Sequence, residues 1–217
     1  LTSADDEKPY DGTALTNDTV TVSGDKFVKG EGATYDVTGS QTNAGESDNT
    51  FTYTLNGNTK EQNYTITSKA GTLKVTPLTD KVTVTIKENS GNETYDGTEK
   101  TVAGYKVKSI SNNLYKTEDF TFKGNATVTA KDAGSYDMDV KAKDFANISN
   151  NFTDVTFIVE DGQLVIERRK VTLTSANDEK PYDGTALTND TVTVGGDGFA
   201  SGEGATYDVT GSQTVVG

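Results

Sequence analysis

The sequence repeats itself, and that limits what it can fold into more than any other feature. Residues 1–45, LTSADDEKPYDGTALTNDTVTVSGDKFVKGEGATYDVTGSQTNAG, return at 173–217 with 38 of 45 positions identical. A diverged copy lies between them. Its anchor, Tyr95-Asp96-Gly97-Thr98, matches Tyr10-Asp11-Gly12-Thr13 and Tyr182-Asp183-Gly184-Thr185, at spacings of 85 and 87 residues. Later landmarks keep step: Asn43-Ala44-Gly45 with Asp132-Ala133-Gly134, Asn63-Tyr64-Thr65 with Asn151-Phe152-Thr153, and Gly71–Val75 with Gly162–Ile166. The division is repeat unit 1 at 1–77, a diverged unit 2 at 78–167, and the N-terminal part of unit 3 at 168–217. A unit of about 86 residues suits a small β-sandwich and exceeds one solenoid turn of ~20–45 residues.

Periodicity points to an all-β chain. Thr makes up 37 of 217 residues; it is β-branched, and its hydroxyl suits the wet face of a sheet. Apolar residues alternate with period two. The strands expected in unit 1 are Thr19–Ser23, Ala33–Thr38, Thr50–Leu55, Tyr64–Thr67 and Thr72–Thr76. Those expected in unit 2 are Lys81–Ile86, Thr101–Val107, Phe120–Phe122, Ala126–Thr129, Ser135–Lys141, Val155–Val159 and Gln163–Glu167. Asp161-Gly162 reads as a two-residue hairpin whose Gly takes positive φ. No amphipathic helix is legible, and 112–120 has room for one helical turn. Neither junction, Lys74–Val82 or Val165–Val171, is a Gly/Ser linker, so the repeats should form an elongated, semi-rigid rod.

Composition removes most chemistries. There is no Cys, so no disulfide, thiolate metal site or cysteine nucleophile; there is no His, so no imidazole base or ligand. The net charge of −13 disfavours nucleic acid. No segment has the ~20 apolar residues of a membrane-spanning helix. What remains is carboxylate chemistry, oxygen-ligand metals, or no catalysis.

Each remaining motif has two readings. The Tyr-Asp-Gly-Thr tetrads read as structural turns, in which Asp accepts a backbone N–H two residues on, Gly supplies unusual φ and Tyr packs; alternatively they present binding loops. Asp5, Asp6, Glu7 and Asp11, with Asn177, Asp178, Glu179 and Asp183, form acidic loops. They are either solvated, with no cofactor expected, or oxygen donors for calcium. In unit 2 the matching stretch is Lys87-Glu88-Asn89-Ser90. A Lys–Asn crosslink from Lys81 or Lys170 to Asn63 or Asn151 is weighed against ordinary surface roles for all four. Paired carboxylates acting as a hydrolase would need a cleft that small near-identical domains do not supply.

The run K-x-YDGTALTNDTVTV…GEGATYDVTGSQT, followed by NYTIT…GTLKVTP, resembles the tandem YDG/MBG-type repeat domains of bacterial cell-surface adhesins. In unit 2 the resemblance rests on Tyr95-Asp96-Gly97-Thr98 and Asp132–Tyr136. It implies immunoglobulin-like β-sandwiches in tandem on the outside of a bacterium, Gram-positive by preference, and it carries no catalytic residue. The expected function is a non-catalytic stalk or spacer that projects a binding head from the cell wall through regions outside this segment. The alternatives are that the repeats themselves bind host glycan or protein, or that they hydrolyse a substrate with carboxylates. A β-grasp unit is the alternative fold and needs a helix of about ten residues. The chain starts at Leu1 rather than Met, so the parent chain is expected to continue beyond both ends. Residues 173–217 match only the first part of a unit, lack much of its core, and are not expected to fold alone.

Overall fold

The structure, a computed structural model, describes residues Leu1–Gly217. It is all-β. In the first repeat the strands are β1 Thr2–Ser3, β2 Asp6–Pro9, β3 Val20–Thr21, β4 Ala33–Val37, β5 Gly45–Asn49, β6 Phe51–Leu55 and β7 Gly71–Thr76. The middle repeat begins with β8 Val82–Glu88, β9 Gly91–Thr94, β10 Lys100–Ala103, β11 Tyr105–Ile110 and β12 Phe120–Phe122. It continues with β13 Thr127–Ala130, β14 Gly134–Asp137, β15 Phe145–Asn147, β16 Val155–Glu160 and β17 Gln163–Glu167. The third has β18 Val171–Ser175 and β19 Val192–Gly196. The helices are three-residue 3-10 turns at Glu61–Asn63, Thr117–Asp119 and Ala142–Asp144. The second falls inside 112–120, and none approaches the length a β-grasp unit requires. No helix is long and apolar enough to cross a membrane.

The repeat in sequence is a repeat in topology. β7 lies between β2, to which it is parallel, and β5, to which it is antiparallel. β17 likewise lies between β9, parallel, and β14, antiparallel. In both sheets the parallel partner ends just before Tyr-Asp-Gly-Thr, and the antiparallel partner starts at the Gly of Asn/Asp-Ala-Gly. A further antiparallel pairing recurs three times, each from the residue five after the tetrad Tyr: Leu15 with Gln41, Lys100 with Ala130, and Leu187 with Gln213.

By packing, the chain forms two compact units, and the division passes through the middle repeat. One comprises Leu1–Ile86, Val107–Gly124 and Lys141–Ile158; the other comprises Lys87–Lys106, Asn125–Val140 and Val159–Gly217. In the first, Leu15, Leu73 and Val75 are buried together with Tyr10 packed on them. Val82, Val84 and Ile86 have no exposed surface, because alternate residues of a strand share a face. Phe152 presents its edge to Tyr10 at 5.7 Å and to Tyr115 at 5.0 Å, while Phe120 and Phe145 pack on Phe157. In the second unit Met138, Val140, Leu164, Ile166 and Ala200 are buried.

Five expected elements differ by more than a residue or two at their ends, and the first, Thr19–Ser23, shortens to the two residues of β3. Tyr64–Thr67 forms no strand. Its anchors are irregular: the Tyr64 hydroxyl donates to Glu31 and accepts from Val28 N–H, and the Thr67 carbonyl accepts from the N-terminal ammonium. The run 101–107 divides into β10 and β11 at Gly104, whose φ of 86° interrupts the ladder. The run 135–141 stops at Asp137, ahead of Asp139 at φ 67°.

Finally, Asp161-Gly162 is not a hairpin turn, because β16 pairs in the sheet of β8 and β11 while β17 pairs with β14 and β9. Gly162 is there for space, not φ. A Cβ on it would sit 2.2 Å from the Asn89 carbonyl oxygen and 2.7 Å from Glu88 Cβ. Gly162→Ala is therefore expected to cost about 3 kcal/mol by forcing backbone apart, measured as a loss in urea unfolding free energy.

Candidate functional site

The three tetrads build one turn. Asp11 Oδ1 accepts from Thr13 N–H at 2.9 Å and from the Thr13 hydroxyl at 2.8 Å. Asp96 and Thr98 repeat both bonds at 2.9 and 2.6 Å, and Asp183 and Thr185 at 2.9 and 2.7 Å. Gly12, Gly97 and Gly184 all take φ near 80°, at 80°, 82° and 76°, a region closed to most residues that carry a Cβ. A lysine then locks the turn. Lys8 Nζ reaches Asp11 at 2.8 Å and the Thr13 hydroxyl at 2.7 Å, and Lys180 does the same to Asp183 at 2.9 Å and Thr185 at 2.6 Å. In the middle repeat Glu93 occupies the place of that lysine. There Lys100, on the far side of the turn, reaches back to Asp96 at 2.5 Å.

These donors depress the carboxyls. Lys8, then Thr13, holds Asp11 at about 2, from an ordinary 3.8. Lys100 holds Asp96, and Lys180 holds Asp183, below the usual carboxylate range in the same way. A carboxyl with a depressed folded pKa stabilises the fold above its unfolded value near 4, and the contribution disappears as pH falls through the folded value. An NMR titration of the Asp11 carboxyl should therefore have its midpoint near 2. A midpoint at the ordinary value would mean that the lysine clamp does not form in solution.

The three tyrosines differ. Tyr10 packs on the Leu15–Leu73–Val75 cluster. The Tyr95 hydroxyl donates to Glu203, which raises the tyrosine's pKa. Tyr182 is 68% exposed, contrary to the expectation that each Tyr packs, because the counterparts of Leu73 and Val75 are not among residues 173–217.

The acidic loops do not converge. Asp5 accepts from Thr72 N–H at 2.7 Å, Asp6 from Glu7 N–H and the Asn17 amide at 2.8 and 3.1 Å, and Glu7 lies 3.6 Å from Lys74 Nζ. No three acidic side chains gather in one place. Asn151, weighed for a crosslink, spends its amide on Ala44 N–H at 2.7 Å and Asn43 Oδ1 at 3.1 Å; Lys81 is exposed.

A second conserved geometry went unread in the sequence. In the first repeat Ser3 Oγ accepts from Gly71 N–H at 2.8 Å and donates to the Asn49 carbonyl at 2.5 Å. In the middle repeat Glu88 does this work. It is 1% exposed, and its two oxygens accept from Val140 N–H and Gly162 N–H, each at 2.6 Å. Each latch binds a Gly at the start of the last strand of its repeat: Gly71 opens β7, and Gly162 immediately precedes β17. The signal for Glu88 was available: it is in phase with Val82, Val84 and Ile86 and so faces inward. Beside Ser3, the fully buried Asn49 donates its amide to the carbonyls of Ala4 and Asn17 at 3.0 and 2.8 Å.

Compared with protein-family models, curated proteins and solved structures, the chain matches none.

Proposed function

We propose that this chain is a stalk or spacer segment of a bacterial surface adhesin. On this reading it is built from YDG/MBG-type, immunoglobulin-like repeats, is extracellular, and carries load rather than catalysing a reaction. The parallel pairing of an early strand with the last strand of the repeat supports it most. β2 and β7 lie side by side in register from Asp6 with Leu73 to Pro9 with Thr76, and β9 with β17 from Gly91 with Leu164 to Thr94 with Glu167. Tension applied through the two ends of such a repeat shears the ladder and loads its hydrogen bonds together. A hairpin pulled from its open end would break them one at a time.

Single-molecule pulling tests this on the first repeat. Attachment at Leu1 and Pro77 should give a higher unfolding force than attachment at Tyr10 and Pro77, which lie at the same end of β2 and β7 and peel them apart. Equal forces would remove the mechanical argument. A glycan and host-protein array is the companion measurement: the spacer reading expects no reproducible binding, and binding would favour repeats that are themselves the adhesive surface. Turnover on a glycoside or ester panel, abolished by one Asp or Glu substitution, would establish the hydrolase instead.

A further inference from the structure

Within the first compact unit, two loops of the first repeat meet the repeat that follows. The Tyr10–Thr13 turn faces the loop after β11. A Cβ placed on Gly12 would sit 3.2 Å from Leu114 Cδ2, and the Tyr10 ring meets Phe152 edge to face at 5.7 Å. Beside it, the Ala44 N–H donates to Asn151 Oδ1 at 2.7 Å, and the Asn151 amide donates to Asn43 Oδ1 at 3.1 Å. The chain crosses between the repeats at the same place, where Leu78 N–H donates to the Asn151 carbonyl at 2.8 Å.

The second compact unit repeats the arrangement with different side chains. The Tyr95–Thr98 turn faces the loop after β19, and a Cβ on Gly97 would sit 3.5 Å from Ala200 Cβ. β11 and β19 are equivalent, since each pairs with the strand that opens its repeat, β8 or β18. Leu114 and Ala200 hold the same place, four residues past the ends of β11 and β19. Ala200 is 4% exposed on its loop, whereas Val28, the matching residue of the first repeat, is 65% exposed. The Tyr95 hydroxyl donates to Glu203. Arg169, between the repeats, donates to the Gly198 carbonyl at 2.9 Å and to the Tyr95 carbonyl at 3.3 Å. Ala133, the counterpart of Ala44, lines the same hollow as Tyr95 and Ala200.

We infer that the tetrad turn and the Asn/Asp-Ala-Gly loop of the first and middle repeats form a docking face, and that its partner is the loop after β11 or β19 of the following repeat. The four residues divide the work. Asp and Thr close the turn on itself, while Tyr and Gly meet the neighbour. The glycine has two duties: its positive φ shapes the turn, and its missing Cβ leaves flat backbone on which an apolar side chain, Leu114 or Ala200, rests. The tyrosine supplies the second contact, by its ring on Phe152 in one joint and by its hydroxyl on Glu203 in the other. The run thus encodes a turn and a joint together, and repeats joined this way stabilise their neighbours through the shared interface. The inference does not rest on the stalk reading, because a set of adhesive repeats would use the same joint.

The chain has no Cys, so spin labels can be attached to introduced ones alone. Nitroxides on Thr52→Cys and Ala146→Cys, both exposed and one in each repeat, report the spread of distances across the first joint in the full chain. The parent should give one narrow distribution in a pulsed dipolar experiment. Leu114→Asp sets a carboxylate against Gly12, the neighbour of Asp11 in the chain, and should widen the distribution about twofold or more, since linked domains move freely once their interface is lost. Asn151→Ala should widen it less. Ile148→Asp, the same charge change on a side chain 58% exposed in the same repeat, should leave it unchanged. Amide exchange in β2, β7, β8 and β16 is the folding check. A broad parent distribution, or a Leu114→Asp width equal to the parent's, overturns the inference, as does equal widening by Ile148→Asp. If Leu114→Asp loses strand protection, Leu114→Ser takes its place, and an unchanged width in that variant overturns the inference.

Discussion

Glu88→Ala is expected to destabilise the protein by about 3–5 kcal/mol, read as a fall in urea unfolding free energy. Glu88 is 1% exposed and is bound by two backbone N–H groups at 2.6 Å, from Val140 and Gly162. Alanine leaves both donors unpaired. Each buried unsatisfied donor costs about 1–3 kcal/mol, more when its partner was charged, and the emptied volume adds a cavity penalty. A domain has only about 5–15 kcal/mol in total, so the second unit should be near its unfolding limit at room temperature. Hydrogen exchange should locate the loss: amides of β14 and β17 lose protection first, while β2 and β7 keep theirs. Glu88→Gln retains one acceptor oxygen and turns an N–H₂ towards the other donor, so it should fall between wild type and Glu88→Ala. A loss under about 1 kcal/mol for the alanine variant would mean that water replaces the carboxylate and that the latch contributes little.

Phe152→Ala should have an effect of similar size, about 3–5 kcal/mol. Phe152 is 2% exposed and presents its edge to both Tyr10 and Tyr115. Edge-to-face pairs add about 0.5–1.5 kcal/mol each beyond burial. Phe152→Leu keeps most of the buried area but not the ring contacts, so it should cost about 1–3 kcal/mol. The difference between the two variants separates volume from ring geometry. Tyr115 reports independently: burial raises its hydroxyl pKa to about 12, and opening the cluster should bring the value back towards 10. A Tyr115 titration unchanged in Phe152→Ala would show that the cluster closes over the lost ring.

Much of the fold was legible because it is locally encoded. β12 and β17 have the bounds that alternation predicts, and β4, β6, β7 and β16 differ by a residue at one end. The tetrads announce their turn because the chemistry is complete within four residues: a carboxylate, a glycine and a hydroxyl close on one another wherever the run occurs. Only the lysine comes from outside, before the turn in the first and third repeats and after it in the middle one.

What escaped the sequence was whatever depended on a distant partner. β5, Gly45-Glu46-Ser47-Asp48-Asn49, contains no good strand former, and β2 and β9, Asp-Glu-Lys-Pro and Gly-Asn-Glu-Thr, are nearly as poor. They are strands because β7 and β17 offer unpaired backbone on both sides, and cross-strand context outweighs a propensity scale spanning about 1 kcal/mol. The third repeat makes the same point from the other direction. Residues 178–181 read Asp-Glu-Lys-Pro, as β2 does, yet they form no strand where the β7 counterpart is absent. Sequence alone determined the all-β class, the repeat and its turn, since each rests on near neighbours and on identity between copies. Tertiary structure alone decided which strands run parallel, why Gly162 must be glycine, and which backbone groups Glu88 binds, because these pairings and close approaches join residues more than 50 positions apart.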